Sequence, residues 1–392
     1  MKKVRFGIIG IGNQGNYYAK LLKEGKIENG ELVAICDNKA EKLELAKQNH
    51  AGLEYYDDYK KMLESKNIDA ILVETPHYAH PEIVMNSLKS GKHTLLDKPA
   101  GVYTNQVVEM NEFAKTQKPL FGMMFNQRTN CLYRKMKEII ANGELGQLQR
   151  VNWIITDWYR TDLYYKSGGW RATWLGEGGG VLINQAPHQI DLIQWIVGEM
   201  PKTVRGFCGY GRWHDIEVED EVTAYFEYEN GATGVFITTT GEAPGTNRLE
   251  ISGTKGKLLC EQGKLFWYKN SADSQTTARE VTHGFAKPEA TVIEVETDGK
   301  NEQHAGIINN FANAILGKEE LFVDGTEGIN GVELMNAIEL SGWNGGEKVN
   351  LPIDGDKYLF ELNKRRENSV LKNDQDIMMD ISNSFGSGAG AK

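Results

Sequence analysis

The chain has 392 residues, with 44 Lys and Arg against 54 Asp and Glu, a formal net charge of −10. Hydrophobic residues make up 40% and charged residues 25%, a globular balance that excludes disorder as the main state. The acidic balance excludes non-specific nucleic-acid binding, which needs a basic surface, and the length suggests two domains.

Residues 4–9 form an apolar run read as a strand, and helical periodicity follows over 16–24. A second strand is expected at 32–36 with a helix at 40–48. A third strand at 70–74 leads into a helix at 81–90, which has Pro81 in its first turn. A short strand at 94–96, a helix at 104–116 and a strand at 120–124 complete the first part. Strict alternation implies βαβ units and a doubly wound parallel sheet.

One more helix spans 131–142, closed by Gly143. Strand-like pieces then lie at 149–156, 203–207, 222–228, 233–239, 248–251 and 264–267, and Asn230-Gly231 marks a hairpin turn. Helices are expected at 181–197, around 307–316 and at 328–341. The fold class is therefore α/β: a parallel sheet over 1–125, then an α+β domain over 126–365 with a large, mostly antiparallel open sheet. A polar tail or arm is expected over 366–392.

Cys36, Cys131, Cys208 and Cys260 have neither metal-ligand nor CxxC spacing, and read as reduced thiols. No metal site is expected. The apolar run at 6–11 is too short for a signal segment, and no run reaches the ~18 apolar residues of a membrane span. The expectation is a cytoplasmic protein with no membrane partner.

The 43 glycines are in excess, and their placement carries information. Gly10-Ile11-Gly12-Asn13-Gln14-Gly15 fits GxGxxG between a strand and a helix. Gly10 permits the tight turn, Gly12 the approach of a pyrophosphate, and Gly15 close helix–strand packing. The helix N-terminus offers free N–H groups to phosphate. Asp37 ends the second strand, where a carboxylate accepts hydrogen bonds from ribose hydroxyls and repels a 2′-phosphate. That points to NAD rather than NADP, with Lys39 nearby to soften the preference.

Together with Thr75-Pro76 and His80, Asp97-Lys98-Pro99, Gly178-Gly179-Gly180 with His188, and the His304 to Ile315 stretch, this loop resembles the Gfo/Idh/MocA oxidoreductases. The resemblance covers about residues 3–362. It implies a Rossmann domain followed by a substrate-binding and oligomerisation domain, and NAD(P)-linked hydride transfer on a sugar or cyclitol hydroxyl. It also implies a homodimer or homotetramer. Thr75 and His80 would lie beside the cofactor. Asp97, one methylene shorter than the usual Glu, would reach its ribose, and Lys98 matches the catalytic lysine. Asn126 and Trp170 complete the expected cofactor contacts.

Asn184 stands where the family usually has Asp. An amide cannot transfer protons as a carboxylate does, so the acid/base work falls on His188. In the expected helix Asn184, His188 and Asp191 share one face, with Asp191 supporting the helix or orienting a neighbour.

Aromatic residues cluster nearby. Trp153 and Trp195 read as core or interface packing. Trp158, Trp170 and Arg171 flank the glycine turn, and Tyr159, Tyr164 and Tyr165 join them. Asp157, Arg160, Asp162 and Arg171 supply polar groups, of which Asp157, Trp158, Arg171 and Asn184 are the expected substrate contacts. Within the family, the run Trp170-Arg171-Ala172-Thr173-Trp174 leading to His188 is most similar to the dehydrogenases of glycosides and anhydrosugars. The expected function is oxidation of a ring hydroxyl, at C3 of a glucosyl unit. Alternatives are an NAD-dependent glycosidase working by transient oxidation, an inositol or other cyclitol dehydrogenase, and a non-catalytic NAD- and sugar-sensing regulator.

Overall fold

A computed structural model describes residues 3–373 of the chain. The N-terminal elements are β1 (Val4–Ile9), α1 (Asn13–Lys23), β2 (Gly30–Cys36), α2 (Ala40–Asn49), β3 (Glu54–Tyr56) and α3 (Tyr59–Leu63). They continue with β4 (Ala70–Val73), α4 (His80–Lys89), β5 (His93–Leu96), α5 (Thr104–Lys115) and β6 (Phe121–Met123). The six strands pair in the order β3-β2-β1-β4-β5-β6, all parallel. Every residue of β4 is buried, as expected of a strand covered by helices on both faces. Strand order reverses between β1 and β4. Ligands of doubly wound sheets bind outside the carboxyl ends at that point.

The second part comprises α6 (Cys131–Ala141), β7 (Leu148–Ile155), α7 (Asp162–Lys166), α8 (Pro187–Val197), β8 (Thr203–Tyr210), β9 (Glu219–Glu227) and β10 (Thr233–Thr239). It ends with β11 (Asn247–Gly253), β12 (Gly256–Glu261), β13 (Lys264–Asn270), α9 (Ser274–Glu280), β14 (Ala290–Glu294), α10 (Gln303–Ile315), α11 (Gly328–Trp343), β15 (Val349–Asn350) and α12 (Gly355–Glu367). Nine strands form one sheet in the order β14-β13-β12-β11-β7-β10-β9-β8-β15. Only β7 and β10 pair in parallel. The Asn230-Gly231 turn joins β9 to β10, as its sequence predicts. Trp153 is fully buried between Tyr133 and Phe236, a core residue. No helix among the described residues is long and apolar enough to cross a membrane.

The chain returns to the parallel sheet at its end. Asp324 bridges Gly122 beside β6. Asn336 on α11 accepts from Thr104 N at 3.0 Å and donates to Val102 O at 2.9 Å. The two sheets are therefore joined through buried hydrogen bonds and not only by the 124–130 connection. The tail expected from residue 366 starts inside α12, and its part beyond 373 lies outside the described residues.

One expectation is corrected. The helix predicted over 181–197 begins only at Pro187, and residues 181–186 form a chain of turns. The amides of Gly180 and Leu182 donate to the Glu219 carboxylate, and Val181 N donates to Glu219 O at 2.9 Å. Asn184 N and Gln185 N still reach four residues back, but Ala186 N bonds Val181 O instead, and Pro187 has no N–H to carry a helix across. Asn184 thus lies outside the helix that carries His188.

Asp191 faces inward. Its carboxylate takes a two-pronged bond from Arg128, at 2.6 and 2.8 Å, with both side chains 1% exposed. Arg128 also donates to Glu327 at 2.7 Å and stacks over Phe125 and Trp195. Trp195 therefore packs on a buried cation. Removing one partner strands the other charge. Asp191→Asn should lower unfolding free energy by about 3–5 kcal/mol in urea titrations, and a loss under about 1 kcal/mol would contradict this.

Candidate active site at the carboxyl edge of the parallel sheet

The glycine loop leaves β1 and enters α1. Gly10 has φ +96, and a Cβ there would lie 2.4 Å from Glu74 O. A Cβ at Gly15 would lie 2.0 Å from Gly10 O, so helix and loop can touch only without one. Gly12 is different: a Cβ there would meet nothing within 4 Å. Gly10 and Gly15 serve the loop's own packing, while Gly12 borders open space at the start of α1, next to Asn13 and Gln14. Ile11 N donates to Asp37 Oδ2 and Lys39 N to Asp37 Oδ1, both at 2.9 Å. These bonds pin the end of β2 against the loop.

Around this cradle, Glu74 Oε2, Thr75 Oγ1 and Asn126 Oδ1 are buried without a hydrogen-bond partner. Buried polar atoms normally have one, so these three can take a bound polar group. Asn126 is 1% exposed and gives its amide N–H to Gln303 Oε1 at 2.5 Å. The Glu74 carboxyl faces that of Asp97. Burial and the facing carboxylate push Glu74 well above the usual range, and burial raises Asp97, so the pair favours one shared proton. His80 is held against backbone. Its Nδ1 lies 2.7 Å from Pro99 O and its Nε2 2.7 Å from Thr75 O. Carbonyl oxygens only accept, so a neutral His80 donates to one of the two, and in either tautomer its ring bridges the Thr75 and Pro99 loops.

The second half of the site comes from the 161–188 segment. Lys98 Nζ donates to Asn184 O at 2.7 Å. Burial lowers the Lys98 pKa, while Asp97 and Glu177 draw it back up. Asn184 donates its amide to Glu177 Oε1 and lies 3.2 Å from the Tyr164 hydroxyl. That hydroxyl also accepts from Arg171 Nη1 at 2.7 Å and from Gln185 Nε2 at 2.9 Å. Arg171 sits over the rings of Tyr164 and Trp170, and Trp170 meets His77 edge to face. His188 is half-buried, and burial holds its pKa well below 6.5, with Lys98 and His304 acting in the same direction. It is a neutral imidazole at neutral pH, able to take a proton.

Lys98, Asn184, His188, Arg171 and Trp170 thus come together. Trp158 does not join them as an open face: it is 5% exposed, with Arg160 stacked on its ring. Asp157 follows β7 half-buried beside Trp158. Glu74, His77, Glu177 and Gln185 are site residues that the sequence reading did not single out.

Beneath the turn, Glu219 and Glu339 are both buried and in contact. Glu219 holds Gly180 and Leu182, and Glu339 accepts from the Tyr358 hydroxyl. A Cβ on Gly180 would lie 2.0 Å from Glu219 O, which explains that glycine. Burial pushes Glu219 up to about 7.

The residues 4–125 match the family model described as an oxidoreductase family with an NAD-binding Rossmann fold, and residues 133–259 match the GFO/IDH/MocA C-terminal domain. The chain belongs to the Gfo/Idh/MocA oxidoreductases, and its N-terminal domain is an NAD-binding Rossmann domain. It is 26% identical over 264 residues to the myo-inositol 2-dehydrogenase of Thermotoga maritima, covering 66% of this chain and 75% of that protein. It is similar to the WlbA dehydrogenase of Bordetella pertussis, solved with NADH and UDP-GlcNAcA. There the identity is 26% and the TM-score 0.75, over 90% of this chain and 99% of the other. It shares the fold of a levoglucosan dehydrogenase solved with NADH and L-sorbose, at 19% identity and TM-score 0.74 over 90% of this chain and 100% of the other. The open space at Gly12, the free amides of α1 and the unpartnered Thr75 and Asn126 oxygens fit NAD.

Two predictions follow from this geometry. Gly12→Ala should leave the melting temperature nearly unchanged and weaken NADH binding at least about tenfold in fluorescence titrations, because the methyl enters the phosphate approach. Gly15→Ala should instead destabilise the fold. For the buried acid pair, the folded state favours protonation. Its stabilisation is complete below the ordinary carboxyl value of 4.5 and is lost as pH rises through about 7. Glu339→Gln keeps the contact without the second charge. Between about pH 5 and about pH 8 the wild-type melting temperature should fall more than that of the variant. Parallel curves would contradict the raised value of Glu219.

Proposed function

We propose that the protein oxidises a ring hydroxyl of a sugar or glycoside, at C3 of a glucosyl unit, with residues 1–125 holding NAD and 126–365 supplying the substrate side. The observation that carries this reading is the buried Lys98 ammonium, bonded to Asn184 O at 2.7 Å, with the neutral imidazole of His188 within its electrostatic reach. An ammonium has three donors, and Lys98 spends one on Asn184. The others are free to hold a substrate hydroxyl and the negative charge that grows on its oxygen. His188 takes the proton. NAD, when bound, accepts the hydride leaving the carbinol carbon.

Arg171, Tyr164 and Trp170 form the adjoining wall. Aromatic rings and a planar guanidinium suit the C–H faces and hydroxyls of a pyranose. Asp37, pinned by Ile11 N and Lys39 N, supports NAD over NADP. The kinship with an inositol dehydrogenase and the fold shared with a levoglucosan dehydrogenase are consistent with a cyclic polyol substrate. A homodimer or homotetramer fits the half-buried outer row of β9, Thr223, Tyr225 and Glu227, opposite its buried row.

The test is turnover on a panel of glucosides, anhydrosugars and inositols. Lys98→Met and His188→Ala should each reduce kcat by about 10²–10⁴-fold while NADH still binds. Near-wild-type turnover in either variant would remove that residue from the mechanism. A free aglycone without net NADH would move the reading to a glycosidase.

A further inference from the structure

We propose that Glu177 is a positioning residue of this site: its carboxylate holds the Asn184 amide and the Ala172 backbone, and it turns a negative charge toward Lys98. The inference rests on the reading of Lys98 as the group that steadies the reacting oxygen.

Glu177 is 1% exposed. A carboxylate is almost never found so deep unless its oxygens are satisfied. Both are used. Oε1 accepts from Asn184 Nδ2, and Oε2 accepts from Ala172 N at 2.5 Å. Arg171 Nη1 stands 4.0 Å from Oε1.

Each bond has a consequence for the site. A carboxylate only accepts, so the Asn184 NH₂ must face Glu177 and the amide oxygen must face the Tyr164 hydroxyl. The same Asn184 gives its backbone oxygen to Lys98. One residue therefore ties the carboxylate to the ammonium. Ala172 has φ +53, a left-handed conformation that residues with a Cβ rarely adopt. The bond from its N–H to Glu177 holds it there, next to Arg171 and Trp170. Position 184 holds an amide, which carries no charge. Glu177 supplies that charge from behind it.

The surrounding charges set how a test must be read. Lys98 is faced by Asp97 from its own loop, Glu74 from the end of β4, and Glu177 and Arg171 from the 171–177 loop. His77 and His80 near the start of α4, His188 on α8 and His304 on α10 also face it, all with lowered pKa. Glu177 itself is faced by Lys98, Arg171, Lys372 and Glu219. Against Lys98, Glu177 is the carboxylate contributed by the segment that carries Asn184.

The experiment follows the Lys98 side chain by NMR in full-length protein carrying isotopically labelled lysine, with Lys98→Met to assign the signal. Wild type, Glu177→Gln, Glu177→Asp and the double variant Glu177→Gln/Asn184→Asp are titrated with pH, and NADH binding reports an intact fold. Glu177→Gln should lower the pH at which Lys98 loses its proton by about one unit. The double variant, with its carboxylate moved to position 184, should return it toward wild type. Glu177→Asp keeps the charge and should titrate near wild type even if it disturbs Asn184. An unchanged titration in Glu177→Gln would overturn the proposal, as would a double variant that stays with the single one. None of these readouts depends on turnover. Failure of the sugar-oxidation reading would show in the Lys98 and His188 kinetics instead.

Discussion

A buried ammonium is costly unless it is hydrogen-bonded and faced by negative charge, and Lys98 sets that demand on this site. It leaves the end of β5, where ligands of the parallel sheet bind, and reaches across to Asn184 O. The partners that make its charge tolerable come from three separate stretches: Asp97 from its own loop, Glu74 from β4 and Glu177 from the glycine turn. The Rossmann half and the C-terminal half thereby also meet at this ammonium. His188, kept neutral by the same burial, completes an arrangement of one held cation and one free base.

That arrangement depends on a turn that the chain cannot form alone. Glu219 draws in the amides of Gly180 and Leu182, and Glu339 backs Glu219 from α11. Farther out, the Arg128–Asp191 pair anchors α8, the helix that begins one residue before His188. The site is thus supported by two buried polar clusters, each lying between elements distant in sequence. Breaking either should shift Asn184 and His188 before it disturbs the sheets.

The parallel sheet and its glycine loop were legible because their signals are local. A strand, three spaced glycines, a helix and Asp37 lie within one βαβ unit, and each residue's task follows from its own backbone. Lys98 and His188 were singled out through the resemblance to a known family rather than through a local signal of that kind. What failed was also specific. The sequence periodicity over 181–197 looked helical, but the pattern breaks at Ala186, whose N–H bonds Val181 O, and at Pro187, which has no N–H. His80, read as packing beside the cofactor, has its ring against the Thr75 and Pro99 carbonyls, contacts no local signal announces. Trp158 offered an aromatic face that Arg160 covers. Glu177 stands directly before Gly178-Gly179-Gly180. Its bond to Asn184 is invisible without the turns that fold seven residues back on themselves.

The most direct measurement of the account is an absorbance spectrum of the purified protein loaded with NAD, repeated as glucosides, anhydrosugars and inositols are added. The account predicts that a cyclic polyol with a free ring hydroxyl brings up the reduced-nicotinamide band in wild type, and that Lys98→Met and His188→Ala nearly abolish this. If NAD binds and no member of the panel reduces it, or if either variant reduces it at the wild-type rate, the proposed chemistry of Lys98 and His188 is contradicted.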